Sequence, residues 1–189
     1  MKLIIYTDGG SRGNPGPSGV GVVICGEKGG ALKKYAECLG QKTNNEAEYE
    51  AVILALKKVK ALYGKGKIKA AAIEVRSDSE LIVKQLNHEY KLEQEHLQKL
   101  FIQVWNLMLD FGEVKFRHIP REQNREADKL VNKCLDGQVR PKSLPGFWEL
   151  DQNTISCYYW LRRQVLNKEQ VSETIAPQYC GEESPDTPP

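Results

Sequence analysis

The apolar positions of the chain fall into two rhythms, one alternating and one helical, and the places where one gives way to the other mark out its elements. Lys2 to Asp8 reads as a strand, and Gly9 to Gly19 as a turn rich in Gly, Pro, Ser and Asn. Gly19 to Cys25 makes a second strand, and Gly26 to Gly30 closes a hairpin to a third around Lys33 to Leu39. Thr43 opens a helix that runs to about Tyr63, followed by a Gly/Lys turn and a strand from Ile68 to about Ser77. A short helix covers Ser79 to Asn87. A longer one, from about Glu93 to Asp110, carries Leu97, Leu100, Phe101, Val104 and Met108 at helical spacing and stops at Gly112. Val114 to Ile119 alternates as a last strand ended by Pro120, and Asn124 to Leu135 is a last helix. The order β-β-β-α-β-α-α-β-α predicts an α/β fold in which an antiparallel hairpin unit joins parallel strands covered by helices.

After Gly137 the pattern changes. Residues 1–137 are expected to form one domain, 138–180 an extension of unassigned role, and 181–189 a disordered acidic tail. Within the extension Ile155 to Leu166 is aromatic-rich and suits a small helix.

With 189 residues, 40% of them hydrophobic, the chain can build one core plus an extension. A formal net charge of +2 is too mild to signal nucleic-acid binding, so any such function must be read from a site. No apolar run reaches the length of a membrane helix, and Met1 to Tyr6 enters a strand without a cleavage site, which predicts a cytosolic protein. The five cysteines, Cys25, Cys38, Cys134, Cys157 and Cys180, include no CxxC pair and are expected to be free thiols rather than zinc ligands or disulfides.

Four acids stand out by position. Asp8 ends the first strand and Asp78 the fourth, where ligands gather in open α/β sheets. Each has a plain alternative: Asp before Gly-Gly as a turn former, and Asp78 as a cap on the helix that follows. On the first helix, Thr43 and Glu46 form a T-x-x-E capping box, which gives Glu46 a structural task. Glu48 instead leads the stripe Val52, Ala55, Val59, Leu62 that must face the core, where a carboxylate is costly unless paired or bound to metal. Asp128 repeats the anomaly beside Ala127, Val131 and Leu135 on the last helix, with a salt bridge to Arg76 or Arg117 as the alternative. Oxygen ligands in such numbers suit Mg²⁺ or Mn²⁺, and no His/Cys set supports zinc.

Four segments carry a resemblance: Tyr6 to Gly16 (YTDGGSRGNPG), Thr43 to Glu48 (TNNEAE), Ser77-Asp78-Ser79, and Asn124 to Asp128 (NREAD). Together they closely resemble the motifs of type 1 ribonucleases H, in order, over about residues 1–136. The resemblance implies a ribonuclease H-like fold, a five-stranded mixed sheet with flanking helices. It also implies hydrolysis of the RNA strand of RNA–DNA hybrids, leaving 5′-phosphate and 3′-hydroxyl ends. Asp8, Glu48, Asp78 and Asp128 correspond to ligands of two Mg²⁺ ions, replaceable by Mn²⁺, which would clamp the scissile phosphate. His118, six residues before Asn124, matches the family's mobile histidine, a proton relay or aid to product release.

By the same resemblance Ser11, Gly13 and Asn14 contact RNA, and Thr43, Asn44 and Asn45 hold the substrate backbone at a helix N-terminus. Gly13 and Gly16 can equally be turn residues. The chain departs from the longest family members between Asp78 and His118, where a basic helical protrusion is missing. A monomer is expected. The rival readings are a nuclease acting on double-stranded RNA or in a retroelement, and a non-catalytic nucleic-acid-binding module of the same fold.

Overall fold

The computed structural model describes residues 1–27 and 29–137. The expectations for the extension and the tail lie outside them.

Three strands come first: β1 (Lys2–Ser11), β2 (Gly16–Gly26) and β3 (Ala31–Lys42). They pair antiparallel, with Asp8 opposite Gly21. Helix α1 (Asn44–Ile68) follows, then β4 (Ala72–Ser77), α2 (Glu80–Leu86), α3 (Glu95–Met108), β5 (Glu113–His118) and α4 (Arg125–Leu135). Strand β4 pairs parallel to β1 with Tyr6 opposite Arg76, and β5 parallel to β4 with Ser77 opposite His118. The sheet order is β3-β2-β1-β4-β5. This is the predicted mixed α/β architecture.

Alternation along the strands decides which helix covers which face. Leu3, Ile5, Val22 and Ile24 are buried with Tyr49, Val52, Ile53 and Leu56 of α1 and with Leu97, Leu100 and Val104 of α3. On the opposite face Ile4, Tyr6, Val23 and Cys25 pack with Ala127 and Leu130 of α4. Asp8 follows Ile4 and Tyr6 in the alternation and so points to the α4 side, while Gly9 points to α1.

Some boundaries differ from the expectation. Gly64, at φ 73° and ψ 160°, breaks the helical path of α1, so its first segment ends near Tyr63 as predicted. Helix resumes to Ile68, which is fully buried and belongs to this helical end rather than to the fourth strand. Leu62, assigned to the apolar stripe, is 41% exposed. The free-thiol expectation is corrected for two cysteines: Cys38 of β3 and Cys134 of α4 form a disulfide, their Cα atoms 5.6 Å apart. Cys25 is the free and buried thiol among the described residues.

Candidate active site

The ends of β1 and β4 and the starts of α1 and α4 meet around a cavity of about 300 Å³. Asp8, Glu48, Asp78 and Asp128 all line it, together with Ser11 and Asn44. The parallel register of β1 and β4 places Asp8 and Asp78 at neighbouring strand ends.

Two glycines let the helices come down close enough. A Cβ on Gly9 would lie 2.2 Å from the carbonyl carbon of Ala47 and 2.3 Å from the backbone nitrogen of Glu48. On the other face a Cβ on Gly21 would lie 2.2 Å from the Ala127 carbonyl oxygen. Glu48 and Asp128 reach the strand ends because nothing larger than hydrogen separates these helices from the sheet.

The capping box is formed in both directions. The Glu46 N–H donates to Thr43 Oγ1 at 3.3 Å, and the Thr43 N–H donates to Glu46 Oε2 at 2.8 Å. The Thr43 N–H, and the Thr43 hydroxyl donating to the same Oε2 at 2.7 Å, hold the Glu46 carboxyl below its ordinary pKa. Glu46 is thus occupied at the helix start, while Glu48 is buried at 7% exposure. Burial, then the charges of Asp8 and Asp78, push the Glu48 carboxyl well above its usual range. Asp8 is lifted to about 7 by burial, with the charges of Asp78 and Asp128 adding to it. Buried acids lifted in this way by their neighbours' charges mark a place suited to positive charge.

Asp128 is half-buried, and its partners are not the predicted Arg76 or Arg117. Arg121 donates to Asp128 Oδ1 at 3.3 Å and Asn132 to Oδ2 at 3.0 Å, while Arg76 is engaged by Glu74 and Tyr6. Asp78 does not cap α2. It accepts from Asn124 Nδ2 at 2.6 Å. Among the described residues no three His, Cys, Asp or Glu side chains converge as a ready metal shell. Asp78 and Asp128 are held instead by neutral and cationic donors. The donor set still fits a hard divalent cation: four carboxylates on one cavity, two of them, Asp8 and Glu48, raised in proton affinity by burial and by neighbouring carboxylates.

Beside the acids, the β1–β2 turn is tied to the start of α1. The Ser11 N–H donates to Asn44 Oδ1 at 3.3 Å, the Asn44 N–H donates to Asn14 Oδ1 at 3.1 Å, and Ser11 Oγ donates to the Gly13 carbonyl at 2.7 Å. Gly13 makes this turn at φ 99°. Ser11, Gly13, Asn14 and Asn44 are thus joined in one set of bonds, of which Ser11 and Asn44 line the cavity; Thr43 and Asn45 flank Asn44 at the start of α1 and do not line it.

His118 stands apart from the cavity lining, exposed at the end of β5 beside Ser77. Sequence reasoning missed Arg12, Arg121 and Asn132, which also line the cavity. Arg12 is engaged by the Leu135 carbonyl and by Asp136. The spacing of Arg121 and Asn132 around Asp128 on one short turn-and-helix was the available signal.

A family profile described as reverse transcriptase-like matches residues 6–134. The crystal structure of LC11-RNase H1 in complex with RNA/DNA hybrid superposes with a TM-score of 0.69 at 45% identity, over 73% of this chain and 99% of that one. RNase H1 from Halobacterium salinarum superposes with a TM-score of 0.67 at 36% identity, over 72% of this chain and 99% of that one. Among curated proteins, the bifunctional protein Rv2228c of Mycobacterium tuberculosis is 36% identical over 141 residues, 74% of this chain. The chain spans 37% of that relative's length and 65% of that of the Halobacterium salinarum ribonuclease HI, to which it is 38% identical over 135 residues.

Proposed function

Since the chain belongs to the type 1 ribonuclease H family, we propose that it is an endonuclease hydrolysing the RNA strand of RNA–DNA hybrids. The observation that carries this is the meeting of Asp8, Glu48, Asp78 and Asp128 in one cavity. Two relatives support it by name, one a ribonuclease HI and one an RNase H1 held with an RNA/DNA hybrid.

The four carboxylates would hold divalent cations, two Mg²⁺ ions in our reading, with Mn²⁺ as a substitute. Bound there, the ions supply an activated water and neutralise charge at the scissile phosphate and leaving 3′ oxygen. Asp8, at the end of β1 on the cavity wall, would be the acid shared between them. The segments from Ser11 to Asn14 and from Thr43 to Asn45 would offer the side-chain amides of Asn14, Asn44 and Asn45 to a sugar–phosphate backbone, while the Ser11 and Asn44 main-chain N–H groups tie the two segments together. Recognition of consecutive 2′-hydroxyls along such segments restricts cutting to RNA. The N-terminus of α1 at Thr43 to Asn45 adds a helix-end anion site for a phosphate of the paired strand. His118, on β5 beyond Ser77, is assigned to proton transfer or product release. The retention of all four acids favours catalysis over a binding module of the same fold.

No helix among the described residues is long and apolar enough to cross a membrane. We assign the protein to the cytosol and read it as a monomer.

Labelled hybrid, double-stranded RNA and double-stranded DNA, each incubated with Mg²⁺, Mn²⁺ or chelator, test the proposal. The RNA strand of the hybrid is expected to be cut to 5′-phosphate and 3′-hydroxyl ends with metal only. Cleavage of double-stranded RNA in preference to hybrid, or cleavage in chelator, would overturn it.

A further inference from the structure

An Asn at a helix N-terminal boundary ordinarily turns its side-chain oxygen to the free N–H groups of the first turn. Asn124, at that position before α4, makes no such bond. Its side chain is 1% exposed. Nδ2 donates to the Thr7 carbonyl oxygen at 2.9 Å and to Asp78 Oδ1 at 2.6 Å. Oδ1 is buried and without a hydrogen-bond partner. Both N–H groups are thus spent on the site while the oxygen, the part that caps a helix, is left idle. Leaving a buried acceptor unsatisfied is unfavourable, so helix capping does not account for this side chain.

The main chain of the same residue has a second attachment. The Asn124 carbonyl accepts from the N–H groups of Ala127 at 3.0 Å and Asp128 at 3.1 Å, the first turn of α4. One residue therefore grips Asp78 by its amide, sets the turn that carries Asp128, and ties both to the carbonyl of Thr7, directly before Asp8. Those attachments span 117 positions to Thr7 and 46 to Asp78.

We propose that Asn124 is a positioning residue for the carboxylate cluster: it fixes the orientation of Asp78 and references it to Asp8 and Asp128, so that the three acids present their free oxygens to the same cations. Asn124 itself touches neither substrate nor ion. This role rests on the reading of the four acids as metal ligands.

Asn124→Ser separates the two accounts. Serine is a good N-cap but too short to reach Asp78 from the same backbone, so a helix-starting role predicts full function. The variant is expected to melt within a few degrees of wild type. It should bind Mn²⁺ about 10–100-fold more weakly by calorimetry on metal-free protein without substrate, the loss seen when a ligand's hydrogen-bond partner is removed. In hybrid cleavage kcat should fall while KM stays within about twofold. A folded Asn124→Ser with wild-type Mn²⁺ affinity and wild-type kcat overturns the proposal. Should the variant not fold, wild-type protein supplies the second measurement: the Asn124 side-chain amide resonances are expected to shift when Mg²⁺ is added, and an unmoved signal also overturns it. Wild-type protein that binds no Mn²⁺ at all would sink the metal-site reading, whereas equal binding by wild type and variant sinks only the role of Asn124.

Discussion

The backbone of Glu48 lies against Gly9 so closely that a Cβ on Gly9 would stand 2.3 Å from the Glu48 nitrogen. The position of an acid in the site is therefore set by a missing methyl group on the neighbouring strand. Gly9→Ala must push the start of α1 off β1, and Glu48 moves with it. We expect a loss of stability of about 1–3 kcal/mol from overpacking and a fall in kcat of at least tenfold. Gly30→Ala, with nothing within 4 Å of its Cβ, is the control and should change neither. Thermal melts and hybrid cleavage on both variants decide it; an active Gly9→Ala would mean that the helix can retreat without taking Glu48 out of place.

Glu46 and Glu48 lie two positions apart and have different work. Glu48→Gln is expected to abolish turnover with the fold intact. Glu46→Gln weakens only the capping box, at a cost of about 0.5–2 kcal/mol. Side-by-side assays in excess Mg²⁺ check this. A dead Glu46→Gln and an active Glu48→Gln would reverse the assignment of the two helix faces.

The raised Asp8 carboxyl makes both stability and metal binding depend on pH. Its pKa is 3.8 when unperturbed and about 7 in the fold, so between those values the folded protein holds a proton that the unfolded chain has released. Stability of the metal-free protein therefore falls as pH rises from about 4 to about 7, and ionised Asp8 remains a burden above that. Metal-free Asp8→Asn should melt above wild type at pH 8, with the gain vanishing near pH 4. Mn²⁺ affinity of wild type should rise across the same window as the competing proton leaves. A melting difference that does not change with pH would refute the assignment.

His118 lies outside the cavity lining, which suits a group that acts at the edge of the reaction. His118→Ala is expected to slow turnover by roughly 10²–10⁴-fold, the usual worth of acid–base assistance, with hybrid affinity close to wild type. Stopped-time cleavage and equilibrium binding on the same preparation separate the two effects. Unaltered kcat across pH 6 to 9 would remove His118 from the mechanism.

What could be read from the sequence was what repeats locally. The alternation of β1 and β5, the helical stripes of α3 and α4, and the Thr43–Glu46 box are interactions among residues two to four apart, and all reappear in the structure. The inward placing of Glu48 and the joining of Asp8 and Asp78 at strand ends followed from the same periods once the strand order was known. The partners of Asp128 could not be found in that way. Arg76, one of the two expected candidates with Arg117, points to the α4 face like Tyr6 and is captured there by Glu74 and the Tyr6 hydroxyl, while the turn after Pro120 swings Arg121 onto Asp128. The Cys38–Cys134 disulfide, 96 positions apart in the chain, depends on α4 crossing β3. Asn124 in sequence only opens the last helix, and it is the packing of α4 on β2 and β1 that turns its amide toward Thr7 and Asp78. Local spacing fixes which face of an element a side chain occupies, whereas its partner across the chain is decided by which elements pack together and how closely their backbones can approach.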